Sequence, residues 1–209
     1  MLSLKESLKI LKETNALLEG HFILSSGLHS PKYVQCAQLM SKPKMAQKIC
    51  KSLSEKIKNE FKDVDLILSP AMGGIIIGYE IGRLLKKETI FTERVNGKFK
   101  LRRDFLIKKK QKVLIVEDVI TTGKSSLECS KLVEKSGAKI IGYACIIDRS
   151  EGRSLIKKKI ISQVKLDIPT WRRAWSKSPG SWMPVVSWWP TARTFRLPES
   201  PKLCPSSRV

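Results

Sequence analysis

The densest chemistry in this chain lies in thirteen consecutive residues, Val113-Leu-Ile-Val-Glu117-Asp118-Val119-Ile120-Thr121-Thr122-Gly123-Lys124-Ser125. An apolar run with Val, Ile and Leu reads as a fully buried strand. It leads directly into two adjacent acids, and a Thr/Gly/Ser loop then opens a helix. In a parallel α/β sheet, ligands bind beyond the carboxyl ends of the strands. A helix N-terminus there offers free N–H groups and a partial positive charge. Thr121, Thr122 and Ser125 add hydroxyl donors, and Gly123 lets the backbone come close. These features suit a phosphate monoester. A bare phosphate cradle would avoid carboxylates, so Glu117 and Asp118 point to a ligand that also presents vicinal hydroxyls, as a ribose does, and carries Mg²⁺. Gly123-Lys124-Ser125 resembles the end of a nucleoside-triphosphate P-loop. That loop needs a glycine five residues before Gly123, where this chain has Asp118.

Three further segments have chemical potential. Ser69-Pro70-Ala71-Met72-Gly73-Gly74 places paired glycines at a helix start, leaving N–H groups open to a second anion. Asp148-Arg149 follows another strand, and a planar guanidinium there can meet a carboxylate or ring oxygens. The plain alternative is an ion pair of Arg149 with Asp148 or Glu151. Arg94, Lys98 and Arg102 flank Asn96-Gly97 and form a basic cluster there.

The elements that must hold these segments are legible from period and punctuation. Ser3 and Glu6 have capping-box spacing, and Leu4, Leu8 and Leu11 follow on one helical face, with Gly20 as the expected stop. Ser41 is expected to cap a second helix, with Pro43 in its first turn and Met45, Ile49, Leu53 and Ile57 recurring every four residues. Val64 to Leu68 reads as a short strand, followed by a helix from Gly73 to about Leu85 and a strand from Thr89 to Glu93. Asn96-Gly97 is a preferred hairpin pair, so Glu93–Val95 and Lys98–Leu101 should be antiparallel arms. Val113 to Val116 is the next strand, and a helix from about Lys124 to Lys135 stops at Gly137. Ile140 to Ile147 and Ile160 to Leu166 are the last strands. Alternating strands and helices predict a mostly parallel sheet with right-handed crossovers.

The length of 209 residues suits one α/β domain. No apolar run reaches the ~20 residues that span a bilayer. The N-terminal segment mixes Lys and Glu with Leu and has no signal-peptide h-region, so a cytoplasmic location without a membrane partner is expected. Cys36, Cys50, Cys129, Cys145 and Cys204 form no C-x-x-C pair, and the histidines are only His21 and His29. This argues against a structural zinc site and fits a reducing compartment. The net charge of +21 raises the question of nucleic acid. The Lys108–Lys112 and Lys157–Lys159 runs have no interleaved aromatics to stack on bases, so no nucleic-acid partner is expected.

Composition breaks after Ile168. All five tryptophans and seven of the ten prolines lie beyond it. The basic residues change from 27 Lys and 6 Arg before the break to 2 Lys and 5 Arg after it. The domain is therefore expected to occupy residues 1–168, with a segment of 1–40 ahead of a core of 41–168. Residues 169–209 read as a poorly ordered tail from a shifted reading frame or a fused fragment. A genuine Pro-rich extension is the alternative.

The thirteen-residue stretch resembles the phosphoribosyl-pyrophosphate signature of type I phosphoribosyltransferases: four apolar residues, two acids, two apolar residues, then Thr-Thr-Gly-x-Ser. Gly20-His-Phe22-Ile-Leu24-Ser-Ser26-Gly27-Leu-His29-Ser30 is similar to the N-terminal segment of orotate phosphoribosyltransferases, although many members have Lys where Ser26 stands. The resemblance implies the type I phosphoribosyltransferase fold, an α/β architecture with a mostly parallel central sheet flanked by helices, a small N-terminal hood over the base, and a β-hairpin loop. It further implies that Glu117 and Asp118 hold the ribose hydroxyls. Thr121, Thr122, Gly123, Lys124 and Ser125 wrap the 5-phosphate, Val119 and Ile120 belong to the same phosphoribosyl-pyrophosphate site, and Met72, Gly73 and Gly74 form the pyrophosphate loop. Thr121 and Arg149 meet orotate. Asp118 with Arg94 or Lys98 serves catalysis, the choice between the basic residues of the hairpin being open. Mg²⁺ is implied as cofactor, held mainly through substrate with no dedicated metal ligand, and a homodimer sharing the loop across its interface is implied as the assembly. The hairpin segment has no His, unlike many members, and matches a subgroup with a short Asn/Asp-Gly hairpin. Two other functions compete. A purine or uracil phosphoribosyltransferase would be separated by a panel of bases. A phosphoribosyl-pyrophosphate-sensing regulator that binds nucleic acid would be separated by salt-titrated filter binding.

Overall fold

The computed structural model describes residues 1–24 and 26–172. The first forty residues build a small unit. Helix α1 (Leu4–Glu13) is closed at its start by the expected capping box, in which Ser3 N donates to Glu6 Oε2 at 2.7 Å and Glu6 N to Ser3 Oγ at 3.3 Å. Its stop is not Gly20. The helix ends at Glu13, and Asn15 takes the left-handed conformation (φ 58°), a role its short polar side chain tolerates. Gly20 instead lies inside strand β1 (Leu17–Ile23), which pairs antiparallel with β2 (His29–Val34) across an irregular register between Glu19 and Phe22.

A short helix α2 (Cys36–Met40), not anticipated, precedes α3 (Pro43–Glu60). Ser41 therefore closes α2 rather than capping α3, whose start is Lys42 with Pro43 in the first turn. The four-residue recurrence is real packing: Ile49, Leu53 and Ile57 are buried, and Met45 is partly so.

The remaining elements are β3 (Leu66–Pro70), α4 (Gly73–Leu85), β4 (Glu88–Val95), β5 (Lys98–Leu101), β6 (Lys112–Ile120), α5 (Lys124–Lys135), β7 (Lys139–Asp148) and β8 (Ile160–Lys165). They form a six-stranded sheet in the order β5-β4-β3-β6-β7-β8, parallel throughout except for β5. Asn96 (φ 51°) and Gly97 (φ 76°) make the β4–β5 turn with the expected register, Val95 opposite Lys98.

Alternation along the strands splits the core in two. Ile67, Leu114 and Val116 join the cluster under α1, α3 and α4, while Leu66, Leu68, Val113 and Ile115 join the cluster under α5. From β3 the chain crosses through α4 to β4 on one side. From β6 it crosses through α5 to β7 on the other. The order thus reverses between β3 and β6, which marks the topological switch point where open α/β sheets bind ligands.

Residues Pro169–Arg172, beyond the composition break, are described: Trp171 exchanges backbone hydrogen bonds with His29 of β2 (2.9 and 3.2 Å). The rest of the proposed tail, 173–209, lies outside the described residues. No helix among the described residues is long and apolar enough to cross a membrane.

Candidate active site

The two strands at the switch point part company early. Pairing between β3 and β6 covers only Leu66–Leu68 against Val113–Ile115, and beyond that β3 runs on with β4 alone. Strand β6 continues to Ile120 against β7, so the two acids lie on the strand rather than after it. They therefore point to opposite faces. Glu117 continues the Val113–Ile115 face toward α5, where Ser126 Oγ donates to its Oε2. Asp118 continues the Leu114–Val116 face toward the start of α4. There the Cβ that Gly73 lacks would sit 2.6 Å from Asp118 Oδ2.

Both helix N-termini thus converge on the crevice with one acid each. At α4, the Ala71 N–H donates to Thr92 C=O at 2.8 Å, tying the Ser69–Met72 turn to β4. The Ala71–Met72 peptide is cis, and the Met72 side chain stands in solvent. Gly74 is also closely placed, its missing Cβ 3.1 Å from the Val116 carbonyl oxygen. At α5, Gly123 (φ 75°) is the N-cap in a left-handed conformation. A Cβ there would lie 2.7 Å from Ile156 Cδ1, so the 154–156 segment presses on the back of the loop. Leu155 N donates to Thr122 C=O at 3.0 Å and fixes that contact. On the open side, Thr121, Thr122 and Lys124 are exposed. Glu117, Val119 and residues 121–125 line a cleft of about 70 Å³. A larger hollow, about 540 Å³, lies along the Ser150–Lys158 loop and the end of β8, and contains none of the predicted site residues.

Burial governs the acids. Loss of solvent pushes the Glu117 carboxyl up to about 7, against the opposing Ser126 hydrogen bond, with the neighbouring Asp118 charge adding to the rise and Arg94 opposing it. Asp118 is raised for the same reason, although Val119 N–H donates to its Oδ1 at 2.9 Å.

The predicted basic residues separate. Arg94 pairs opposite Phe99 and shares its face, which is the α5 side. Its guanidinium lies 4.0 Å over the Phe99 ring, donates to Gly97 C=O at 2.7 Å and meets Glu128 of α5 at 3.1 Å. Lys98, opposite Val95, projects from the other face, and Arg102 is held by Glu93 at 3.1 Å. Only Arg94 therefore stands on the side of Glu117. Arg149, at the end of β7, donates its N–H to the Ile120 carbonyl at 2.8 Å and is partly buried. Its plain alternative fails: Glu151 pairs with Arg153, Asp148 Oδ1 accepts from Ser150 N, and Arg149 Nε is buried without a partner among the described residues. Val119 and Ile120 lie on β6 rather than in the loop: Val119 lines the cleft and Ile120 is core.

Ser126 was not predicted. Its signal was a second serine directly after the signature, on the inward face of the helix. The Gly73–Asp118 contact was also invisible, because it needs the strand order.

The phosphoribosyl transferase domain family matches residues 35–176. The chain is 48% identical over 167 residues to the orotate phosphoribosyltransferase of Parvibaculum lavamentivorans, covering 78% of this chain and 86% of that protein. Its fold is similar to the crystal structure of orotate phosphoribosyltransferase from Aeropyrum pernix, with a TM-score of 0.65 at 23% identity over 76% of this chain and 92% of that one. It is also similar to adenine phosphoribosyltransferase from Thermoanaerobacter pseudethanolicus, with a TM-score of 0.57 at 19% identity over 65% and 88% of the two chains. The folds alone do not separate orotate from adenine phosphoribosyltransferases; the 48% identity is to an orotate phosphoribosyltransferase. With a crevice at the switch point, an acid at each of two helix starts and this kinship, the chain belongs to the orotate phosphoribosyltransferase family.

Proposed function

We propose that this chain transfers the 5-phosphoribosyl group from phosphoribosyl pyrophosphate to N1 of orotate, giving orotidine 5′-monophosphate and pyrophosphate in pyrimidine biosynthesis. The observation that carries the reading is the convergence of two helix N-termini on Glu117 and Asp118. One N-terminus serves the 5-phosphate, the other the pyrophosphate, and the carboxylates between them serve the ribose diol.

The residues supply placement and charge rather than a single acid or base. As the bond from C1 to pyrophosphate breaks, positive charge grows on the sugar beside Glu117 and Asp118. Negative charge grows on the leaving group near the N–H groups of Gly73 and Gly74. Arg149, its Nε unpartnered, takes a carboxylate or ring oxygen of orotate, with Thr121 beside it. Of the hairpin cations, Arg94 is the one on the side of Glu117, whose charged form it favours. Two carboxylates on opposite faces make no complete cage for a hard cation, which takes six or more oxygens. They fit a Mg²⁺ held mainly through the donor's own oxygens, where it would neutralise the departing pyrophosphate.

The deciding experiment supplies the chain with Mg²⁺, phosphoribosyl pyrophosphate and a panel of bases. Orotate should be consumed, with adenine and uracil left; the reverse pattern would move the chain to another branch of the fold. Arg149→Ala should raise the KM for orotate about 10-fold to 100-fold, the range of a lost hydrogen bond to a charged group, and leave the donor KM near that of wild type. An unchanged orotate KM would remove Arg149 from the acceptor site. Acid should inhibit through Glu117: its carboxyl is protonated below about 7 in the empty site, and the diol needs an acceptor. The kcat/KM for the donor should therefore fall as pH drops through about 7, and a profile flat from pH 6 to 8 would contradict this.

The same reading implies a homodimer. Met72, Ile76 and Tyr79, spaced four and three residues apart along α4, leave an apolar stripe with exposures of 84%, 57% and 66%, a face suited to a second copy. A cytoplasmic location belongs with this metabolic role. We further propose a shifted frame or fusion as the origin of the segment after about residue 169. Reading the encoding DNA in the other two frames would test that origin.

A further inference from the structure

We infer that Ser126, one residue beyond the signature, is a positioning residue for the ribosyl donor: its hydroxyl holds the Glu117 carboxylate in the orientation that accepts the sugar's hydroxyls. The inference rests on the donor site proposed above.

Ser126 lies in the first turn of α5 and is fully buried. Its Oγ donates to Glu117 Oε2 and is the one hydrogen-bond donor to that carboxylate among the described residues. The serine is itself held from below. Its carbonyl accepts from Ser130 Oγ at 2.9 Å, and Ser130 Oγ meets the Tyr143 hydroxyl of β7 at 2.6 Å. A polar line thus runs from the sheet through the inner face of α5 to the acid at the crevice. The other polar and charged groups that face Glu117 do not replace this contact. On its own strand Asp118 repels it, and from β4 Arg94 attracts it but is engaged by Glu128. Cys129 of α5 and Cys145 of β7 are buried thiols whose own ionisation burial suppresses.

The residue type at 117 explains why a tether is useful. Glutamate has one more rotatable bond than aspartate, and fixing it costs entropy each time substrate binds. A hydrogen bond made in the empty site removes that cost beforehand and favours the charged form that the diol requires. Alanine at 126 would remove only the hydroxyl, so packing changes little.

The test is Ser126→Ala, with titration calorimetry of phosphoribosyl pyrophosphate and Mg²⁺ at pH 6, 7 and 8.5, and steady-state kinetics alongside. The donor Kd and KM should rise about tenfold at pH 7, the size of one hydrogen bond to a charged group. The orotate KM should stay within about twofold. The acid limb of donor kcat/KM should move up by about one pH unit, and most of the lost affinity should return at pH 8.5. A donor Kd equal to wild type would overturn the inference, as would a loss of equal size at every pH, which would mark a purely structural role. Donor binding is read without acceptor. Failure of wild type to consume orotate would therefore count against the acceptor assignment, while the calorimetry still judges Ser126.

Discussion

Asp118→Asn is expected to lower kcat by about 100-fold to 1,000-fold while the protein melts within a few degrees of wild type. The fold does not need the charge. Burial already disfavours the ionised Asp118 in the empty crevice, and the amide oxygen of Asn can still accept the Val119 N–H that now reaches Oδ1 at 2.9 Å. The proposed reaction does need it. A fixed carboxylate beside a sugar that is becoming cationic acts where water is excluded and needs no reorganisation, the setting in which removing one preorganised group costs this much. Steady-state kinetics with a matched melting curve would check both halves. A kcat within tenfold of wild type would take Asp118 out of the chemistry.

Gly73→Ala should be damaging for a different reason. The added methyl would lie 2.6 Å from Asp118 Oδ2 and 2.8 Å from both Cγ and Oδ1, so either the carboxylate or the start of α4 must move. The first option would take the acid from the proposed ribose site; the second would break the Ser69–Met72 turn anchored by the Ala71–Thr92 hydrogen bond. The expected cost is about 1–3 kcal/mol of stability, typical of overpacking, together with a loss of at least about 100-fold in kcat/KM, since a displacement near 1 Å at a reacting centre has that effect. Near-normal activity would show that the two loops are less closely joined than their geometry indicates.

How much of this was legible beforehand depended on the range of the interaction. Features decided within a few residues read correctly. The Ser3–Glu6 box, the Asn96–Gly97 hairpin register, and the bounds of α4 and α5 all follow from local punctuation. Local ambiguity caused the two errors at helix ends near the N-terminus. Asn15 could end α1 as well as Gly20 could, and Ser41 could close one helix as well as open the next. The signature points to a kind of ligand but not to the geometry around it. Glu117 and Asp118 were read as a pair past the end of a strand, whereas β6 extends through them and turns one to each helix. The partner of Glu117, Ser126, stands only nine residues on but needs the strand-to-helix geometry to be seen. The approach of Gly73 to Asp118 depends on the reversal of strand order, which periodicity alone does not reveal. Arg94 and Lys98 illustrate the same limit from the other side: four residues apart in sequence, they are separated by the plane of the hairpin.

The brevity of the β3–β6 pairing has a consequence for the molecule as a whole. Three rungs, Leu66–Leu68 on Val113–Ile115, make the central seam of the sheet, against eight matched pairs between β6 and β7. The donor would lie across the upper end of that seam, with its pyrophosphate on one flank and its 5-phosphate on the other. It would then act as a clasp as well as a reactant, closing a joint that the backbone leaves half fastened.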